Sequence, residues 1–183
     1  MEALLEQVKD FARQAHGEQT RKYTPEPYIV HPVRVMEICR AHQADTAMLA
    51  AALLHDVLED TPVNKQAMKD FLDHVMNAPQ ATRTLQLVVE LTDVYTRAAY
   101  PRWNRRKRKA METARLEKIS AAAQTVKYAD IVDNCKEIVH HDPDFAKVFL
   151  RECKALLKKM TRGHQQLYQK AVALVDENLA RLD

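Results

Sequence analysis

The feature that most limits the possible folds is an uncharged run of helix-forming residues that ends in a cluster of acids. Residues 48–54 read Met-Leu-Ala-Ala-Ala-Leu-Leu, which predicts a helix buried on most of its circumference. The run is followed by one imidazole and three carboxylates: His55, Asp56, Glu59 and Asp60. At about 100° per residue these four side chains share one arc of a helix that continues to about Asp60. Thr61-Pro62 then ends it.

Three carboxylates at the carboxyl end of a helix face the negative end of its dipole, which costs about 0.3–1 kcal/mol each when they are exposed. They therefore need a compensating cation. A divalent metal would supply one, and an adjacent His-Asp pair with further carboxylates one turn on suits such an ion. A solvated helix end is the alternative interpretation, and the choice depends on further ligands elsewhere in the chain.

Glycine is rare, with two among 183 residues, which argues against a sheet-rich fold or a glycine-loop phosphate site. Apolar residues recur at spacings of three and four through most of the sequence, and no segment alternates as a strand does. We expect an all-α fold of about eight or nine helices, forming a single domain over residues 1–183.

Several residues predict where helices begin and end. Gly17 is expected to end the first helix, and Asn64 and Ser120 are expected to cap later ones. Pro101 is expected to open the helix that carries a basic run, since proline suits the first helical turn. Gly163 is expected to end the helix that precedes the last one.

Composition also bounds the cellular setting. The N-terminus has no basic region followed by a long apolar one, so we expect no secretory signal. The longest uninterrupted apolar run is far shorter than the roughly 20 residues of a membrane span. Three scattered cysteines are too few for a disulfide framework. A formal charge of +3 does not by itself imply nucleic acid. We expect a cytoplasmic protein with reduced cysteines.

Two further side chains could complete a metal site. His31 directly precedes Pro32 at the start of a predicted helix, where it can point out of the preceding loop. Asp130 lies in a mainly apolar helix, where a carboxylate is costly to bury unless it is paired. Asn134 follows one turn later on the same stripe. Taken alone, His31 has an ordinary explanation as a structural histidine and Asp130 as a surface residue.

Four motifs together resemble the hydrolase domains of RelA/SpoT homologues. They occur in the family's order and at similar spacing: Tyr28-Ile29-Val30-His31-Pro32, Ala52 to Thr61, Glu90-Leu91-Thr92-Asp93-Val94, and Lys127-Tyr128-Ala129-Asp130 with Asn134. These domains are HD-domain metal-dependent phosphohydrolases, named for the His-Asp pair. The resemblance covers roughly residues 1 to 165. The chain is similar in particular to the free-standing small alarmone hydrolases, and we expect no synthetase domain in it.

The resemblance implies an enzyme that removes the 3′-pyrophosphate of guanosine tetra- and pentaphosphate ((p)ppGpp), giving GDP or GTP and pyrophosphate. One Mn²⁺ ion is expected, and its ligands would be His31, His55, Asp56 and Asp130. Two imidazoles and two carboxylates leave positions for water and a phosphate oxygen, which suits Mn²⁺. Glu59 and Asp60 would orient the attacking water and take its proton.

The resemblance also implies substrate contacts. Arg21 and Lys22 match the basic pair that the family places before its Tyr-x-x-His-Pro motif, and Asn134 matches a ribose or base contact. Lys127 could meet a phosphate or could be surface charge. A solvated loop is the alternative for Arg21 and Lys22.

The basic run from Arg102 to Lys109 has three interpretations. It could be a solvated helix face, or a helix whose Arg105 and Arg108 reach the distal diphosphates as a basic helix does in the family. Nucleic-acid binding, with Trp103 stacked on a base, is the least favoured because the rest of the chain is not basic.

The segment between Asp93 and Lys127 diverges from the family, as does Tyr128, which stands where leucine is common. A changed substrate is therefore possible. One alternative is an HD phosphohydrolase acting on NADPH or a nucleoside monophosphate, and another is a nucleotide or nucleic-acid binding module without turnover. The expected partner is a small-molecule nucleotide, with no membrane contact and the choice between monomer and homodimer left open.

Overall fold

The computed structural model describes residues 1–182, and in that range it contains helices, turns and one isolated β-bridge but no strand. Its helical segments are α1 (Glu2–His16), α2 (Val30–Ala41), α3 (Thr46–Leu54), α4 (Val57–Asp60), α5 (Lys65–Val75), α6 (Ala78–Leu91), α7 (Arg105–Leu116), α8 (Ala121–His141), α9 (Pro143–Leu157) and α10 (Gln165–Leu182). Within the described range α4 is a single turn, and the other segments have nine residues or more. The prediction of an all-α fold is confirmed.

The chain forms two compact units, and each is described by itself. The first runs from Met1 to Thr92 and contains α1 to α6, and the second begins at Asp93 and contains α7 to α10. None of the helices in residues 1–182 is both long and apolar enough to cross a bilayer. Cys39, Cys135 and Cys153 are buried and in the thiol form.

Helix α3 is the centre of the first unit. It packs against α1, α2 and α6, and every residue from Leu49 to Leu54 is at most 2% exposed. A helix without charge on any face needs neighbours on all sides, and this packing supplies them. The carboxylate of Asp45 caps the helix by accepting a hydrogen bond from the Met48 N–H at 3.0 Å.

The prediction of one continuous core helix through Asp60 is wrong. Helix α3 ends at Leu54 and α4 begins at Val57, so His55 and Asp56 occupy the junction between them. The His55 ring nitrogen Nδ1 donates to the Ala52 carbonyl at 2.8 Å. That carbonyl is the one that a continuous α-helix would pair with the Asp56 N–H. The junction therefore holds the His-Asp pair at a fixed break in the helix.

Helix α8 is the longest element of the second unit and packs against α9 and α10. The predicted cap at Ser120 is confirmed, since its hydroxyl accepts from the Ala123 N–H at 3.2 Å. The prediction that Pro101 opens the next helix is wrong: α7 begins at Arg105, and Asn104 caps it by accepting from Lys107 N–H at 2.8 Å. A side chain that accepts a backbone bond defines the helix start more strongly than a proline in a turn.

A buried carboxylate anchors the segment that precedes α7. Glu112 is 3% exposed, and its Oε2 accepts from the backbone N–H groups of Val94 and Tyr95 at 3.0 and 2.8 Å. Its Oε1 accepts from the Arg115 guanidinium. One side chain therefore satisfies two backbone donors and one cation.

Replacing Glu112 with alanine is expected to lower the free energy of unfolding by about 2 kcal/mol, because hydrogen bonds to a charged group are lost and two donors are left unsatisfied. Chemical denaturation measures this change. The matched control is Glu177→Ala on the exposed face of α10, for which we expect a change below about 0.5 kcal/mol. Equal stability of the two variants would contradict the anchoring role.

Candidate active site

Three of the predicted metal ligands converge in the first unit. His31 comes from the start of α2, and His55 and Asp56 come from the junction between α3 and α4. One potential ligand atom from each lies within 4.8 Å of the others. The Asp56 Oδ2 is 3.1 Å from His55 Nε2 and 3.7 Å from His31 Nε2. Both imidazoles are buried, with 1% and 4% of His31 and His55 exposed.

The chemistry of these donor atoms fits a bound cation. A carbonyl only accepts hydrogen bonds, so the contact with Ala52 places the hydrogen of neutral His55 on Nδ1. The lone pair on Nε2 then faces an anionic oxygen of Asp56. Two electron-pair donors at this distance repel unless a cation, either a metal ion or a second ring proton, lies between them. Two imidazole nitrogens and one carboxylate suit a divalent transition metal.

Asp60 lies near this cluster and is tied to it by Tyr28. The Tyr28 hydroxyl is 2.7 Å from Asp56 Oδ2 and 3.3 Å from Asp60 Oδ2. Asp60 is exposed as a residue, but partial burial of its carboxyl raises its pKa above the usual range. The Asp56 charge raises this pKa further, while Tyr28, His16 and His55 oppose the shift. A raised pKa makes Asp60 a better proton acceptor than an ordinary aspartate. Glu59 is its exposed neighbour on α4.

The two basic residues predicted to contact substrate lie in the loop before α2. The guanidinium of Arg21 is 5.5 Å from the centroid of the Tyr28 ring. Lys22 donates from Nζ to the Tyr23 hydroxyl at 2.8 Å. A backbone bond from Arg21 N–H to the Glu26 carbonyl at 2.9 Å closes the loop. Arg21 is therefore placed beside the tyrosine that contacts Asp56 and Asp60.

Asp130, the fourth predicted ligand, belongs to the second unit and is 6% exposed on α8. Lys127 Nζ is 2.8 Å from its Oδ2, and Asn134 Nδ2 donates to its Oδ1 at 2.6 Å. The prediction that Asn134 shares a stripe with Asp130 is confirmed. A carboxylate offers about four lone-pair positions, so these two bonds leave it capacity for another ligand.

The second unit contains a cavity of about 1120 Å³ among α7, α8 and α9. Its walls are largely apolar, and its charged lining has six cations and four acids. The cations are Arg105, Arg106, Lys109, Lys127, Arg151 and Lys159. Four of these cations pair with acids. Two 2.8 Å bonds join Arg105 to Glu152, and Lys109 and Lys127 pair with Asp93 and Asp130. Lys159 Nζ lies 3.8 Å from Glu117 Oε1. Such a cavity suits an anionic ligand with an apolar body.

Two residues of the basic run, Arg105 and Arg108, have different surroundings. Arg105 lines the cavity, whereas Arg108 is not part of its lining and donates to the Trp103 carbonyl. Lys107 Nζ lies 4.1 Å from the centroid of the Trp103 ring, and Tyr100 contacts the same ring with centroids 4.6 Å apart. These contacts occupy the ring that base stacking would need.

Sequence reasoning missed two groups of residues. His16 and Gln19 contact Tyr28 and the Asp60 backbone respectively, and neither belongs to a motif that we singled out. Arg151 and Lys159 line the cavity from α9 and the turn after it, where the sequence reads as an ordinary amphipathic helix. Long-range packing brings both groups into place, so no local signal marks them.

An all-helical fold with a His-Asp pair at a helix junction and a second histidine beside it defines the class of HD proteins. A family model described as HD domain matches residues 9–167. The chain therefore belongs to the HD-domain family.

Curated relatives narrow the comparison. The chain is 27% identical over 187 residues to the probable guanosine-3′,5′-bis(diphosphate) 3′-pyrophosphohydrolase of Mycoplasma pneumoniae, covering 99% of this chain and 24% of that protein. It is 36% identical over 147 residues to the enzyme of that kind named MESH1 from Xenopus tropicalis, covering 78% of this chain and 73% of the relative. A shorter match, 51% over 65 residues, is to the bifunctional (p)ppGpp synthase/hydrolase SpoT of Escherichia coli, with 36% of this chain and 9% of SpoT covered.

The chain thus spans about a quarter of the Mycoplasma relative and a smaller part of SpoT. Among solved structures, a metazoan orthologue of SpoT that hydrolyses ppGpp has a TM-score of 0.78 at 24% identity, with 98% of this chain and 95% of that one covered. A Listeria monocytogenes protein has a TM-score of 0.64 at 19% identity, covering 87% and 99%. These likenesses support the fold.

Proposed function

We propose that this chain hydrolyses the 3′-pyrophosphate of (p)ppGpp, releasing GDP or GTP and pyrophosphate, in a reaction that depends on Mn²⁺. The observation that carries the proposal is the convergence of His31, His55 and Asp56, with His55 Nε2 3.1 Å from a carboxylate oxygen of Asp56. We infer the substrate from the activity for which the Mycoplasma and Xenopus relatives are named. We further propose that residues 1–183 act as one HD domain in the cytoplasm, since the family match includes residues of both units.

The proposed ligands of one Mn²⁺ ion are His31, His55, Asp56 and Asp130. Bound there, the ion would supply a water of lowered pKa and a positive charge for the phosphoryl oxygens. Asp130→Asn tests the fourth ligand, because the amide has the size of the carboxylate but lacks the charge that a divalent ion requires. The amide oxygen can keep only one of the two bonds from Lys127 and Asn134, since an NH2 group cannot accept.

The remaining steps belong to the protein's own side chains. Asp60 would accept the proton of the attacking water as its oxygen bonds to phosphorus, and Glu59 would orient that water. The bond from phosphorus to the ribose 3′ oxygen breaks, and that oxygen leaves as a hydroxyl after taking a proton from solvent, to which Asp60 returns the proton it accepted. No covalent nucleophile is needed.

Binding of the nucleotide would use cationic and amide side chains. We propose that Arg21 and Lys22 contact the nucleotide and that Asn134 contacts the ribose or base. Arg105 and Lys127 would meet phosphate oxygens at the cavity of the second unit, whose cations outnumber its acids. We propose that Arg108 supports the start of α7 through its contact with the Trp103 carbonyl. It is also a candidate contact for the distal diphosphate.

The purified chain is expected to release pyrophosphate from guanosine tetraphosphate with Mn²⁺ and to stop when EDTA is added. Asp60→Ala should lower kcat by about a hundredfold or more, the usual contribution of a positioned general base, and Glu59→Ala should also lower it. Asp70→Ala is the matched control, since Asp70 is exposed on α5, where it accepts a hydrogen bond from Gln66 Nε2. Turnover that survives chelation, or that survives the loss of both carboxylates, would contradict the proposal.

A second candidate substrate is another nucleotide, namely NADPH or a nucleoside monophosphate. One observation favours this candidate: α7 forms a wall of the cavity, and α7 lies in the segment from Asp93 to Lys127, whose sequence departs from that of the family. A different lining could select a different substrate. Those substrates release phosphate rather than pyrophosphate. A panel with Mn²⁺, Mg²⁺ and chelator, in which phosphate and pyrophosphate are detected separately, therefore distinguishes the candidates, and tight binding without turnover would indicate a binding module.

A further inference from the structure

We propose that Tyr28 is a positioning residue, whose hydroxyl fixes the metal-facing oxygen of Asp56 and ties it to Asp60. The proposal rests on the function proposed above, because that function gives Asp56 its role as ligand and Asp60 its role as proton acceptor. Tyr28 itself is given no contact with the metal or the reacting atoms.

The first argument is the geometry of the hydroxyl. Its oxygen is 2.7 Å from Asp56 Oδ2 and 3.3 Å from Asp60 Oδ2, so one O–H group lies between two carboxylates. Carboxylates repel each other, and a shared donor reduces that repulsion while fixing their orientation. The Asp56 oxygen that accepts is the same atom that faces both His55 Nε2 and His31 Nε2. A hydrogen bond to a ligating atom sets its direction and its basicity.

The second argument is that the tyrosine ring is itself held in place. The buried ring of His16 stacks on it with centroids 4.4 Å apart and an interplanar angle of 27°. His16 Nδ1 is 2.9 Å from Gln19 Oε1, and Gln19 Nε2 donates to the Asp60 carbonyl at 2.8 Å. The amide oxygen only accepts, so His16 is the donor of the first bond. This chain of contacts connects the end of α1 with α4.

The third argument concerns the substrate side. The Arg21 guanidinium lies 5.5 Å from the centroid of the Tyr28 ring, within the range of a cation–π contact. The Tyr28 ring therefore contacts Arg21, which is proposed to bind the nucleotide. Its hydroxyl contacts Asp56, the proposed metal ligand, and Asp60, the proposed proton acceptor. Removing the hydroxyl alone should affect the carboxylates and leave Arg21 in place.

Tyr28→Phe tests the proposal because it keeps the ring and deletes the hydroxyl. We expect the Kd for Mn²⁺, measured by titration calorimetry without nucleotide, to rise about tenfold, and kcat to fall about 10- to 100-fold, the range found for groups that orient metal ligands. KM for the nucleotide should change less than about twofold. Tyr168→Phe is the matched control, since its ring contacts Tyr128 in the second unit.

A second variant, His16→Ala, withdraws the support beneath the ring but keeps the hydroxyl, and it should weaken Mn²⁺ binding in the same direction by a smaller factor. Mn²⁺ affinity unchanged in both variants, or a rise in KM alone, overturns the positioning role. So does a fall in the Tm of Tyr28→Phe in chelator, which would assign the hydroxyl to stability. If the wild-type chain binds Mn²⁺ but hydrolyses no (p)ppGpp, the proposed function fails while the Mn²⁺ affinities still decide the role of Tyr28.

Discussion

Replacing Asp56 with asparagine is expected to abolish detectable Mn²⁺ binding and to lower kcat/KM for pyrophosphate release by about a thousandfold, which corresponds to about 4 kcal/mol of transition-state stabilisation. The reason is that Asp56 is the anionic member of the three donors that converge with His31 and His55. The amide has the shape of the carboxylate and can still accept from Tyr28. The variant should therefore fold normally while losing the charge that attracts the cation.

Thermal unfolding with and without Mn²⁺ separates folding from metal binding. A ligand that binds only the folded state raises Tm in proportion to the logarithm of its concentration above Kd. We expect this rise in the wild-type chain and in the control Asp70→Asn, and no rise in Asp56→Asn, with all three having similar Tm values in chelator. A full Mn²⁺-dependent rise in Asp56→Asn would show that the ion binds elsewhere.

Replacing Gly163 with alanine is expected to lower the free energy of unfolding by about 3 kcal/mol. An added Cβ would lie 2.5 Å from Tyr128 Cε2 and 2.9 Å from the backbone nitrogen of Thr125. Neither neighbour can give way easily. Tyr128 is fully buried and its hydroxyl donates to the Met160 carbonyl at 2.7 Å, while Thr125 lies inside α8. Overpacking costs about 1–3 kcal/mol, and the displaced hydrogen bonds add to it.

The other glycine provides the control. Gly17 has φ 55°, in the left-handed region, but a Cβ there would meet only the Gln14 carbonyl at 4.0 Å. Gly17→Ala should therefore cost only the conformational penalty of about 1–2 kcal/mol. Chemical denaturation of both variants measures the difference. A Gly163→Ala variant as stable as Gly17→Ala would mean that Tyr128 can move aside.

Several local features were predictable because their causes lie within a few residues. The caps at Asn64 and Ser120 accept from N–H groups three positions on, and the stop at Gly17 is backbone geometry. The uncharged run of α3 also predicts its own burial. The wrong helix start at Pro101 has a local cause as well, since Asn104, only three residues later, accepts a backbone hydrogen bond and caps α7.

The prediction that Gly163 ends the helix before the last one is wrong. The sequence suggests a helix-ending glycine, but α9 already ends at Leu157, and Gly163 is required by its close approach to Tyr128 and Thr125. Similarly, Glu112 reads as one charge on a polar helix. Its burial beneath the backbone of Val94 and Tyr95 depends on how the preceding segment returns to α7.

The sequence by itself determined the all-α class, the adjacent His-Asp pair and the two carboxylates that follow it, because periodicity and motif spacing are properties of the chain in order. Only the tertiary structure decided that His31 meets His55 and Asp56, that the helix breaks at this pair, and that Tyr28 lies across Asp56 and Asp60. The physical reason is that a contact between side chains 28 residues apart depends on how α1, α2 and α3 pack against one another, and that packing is set by buried surface from many residues at once.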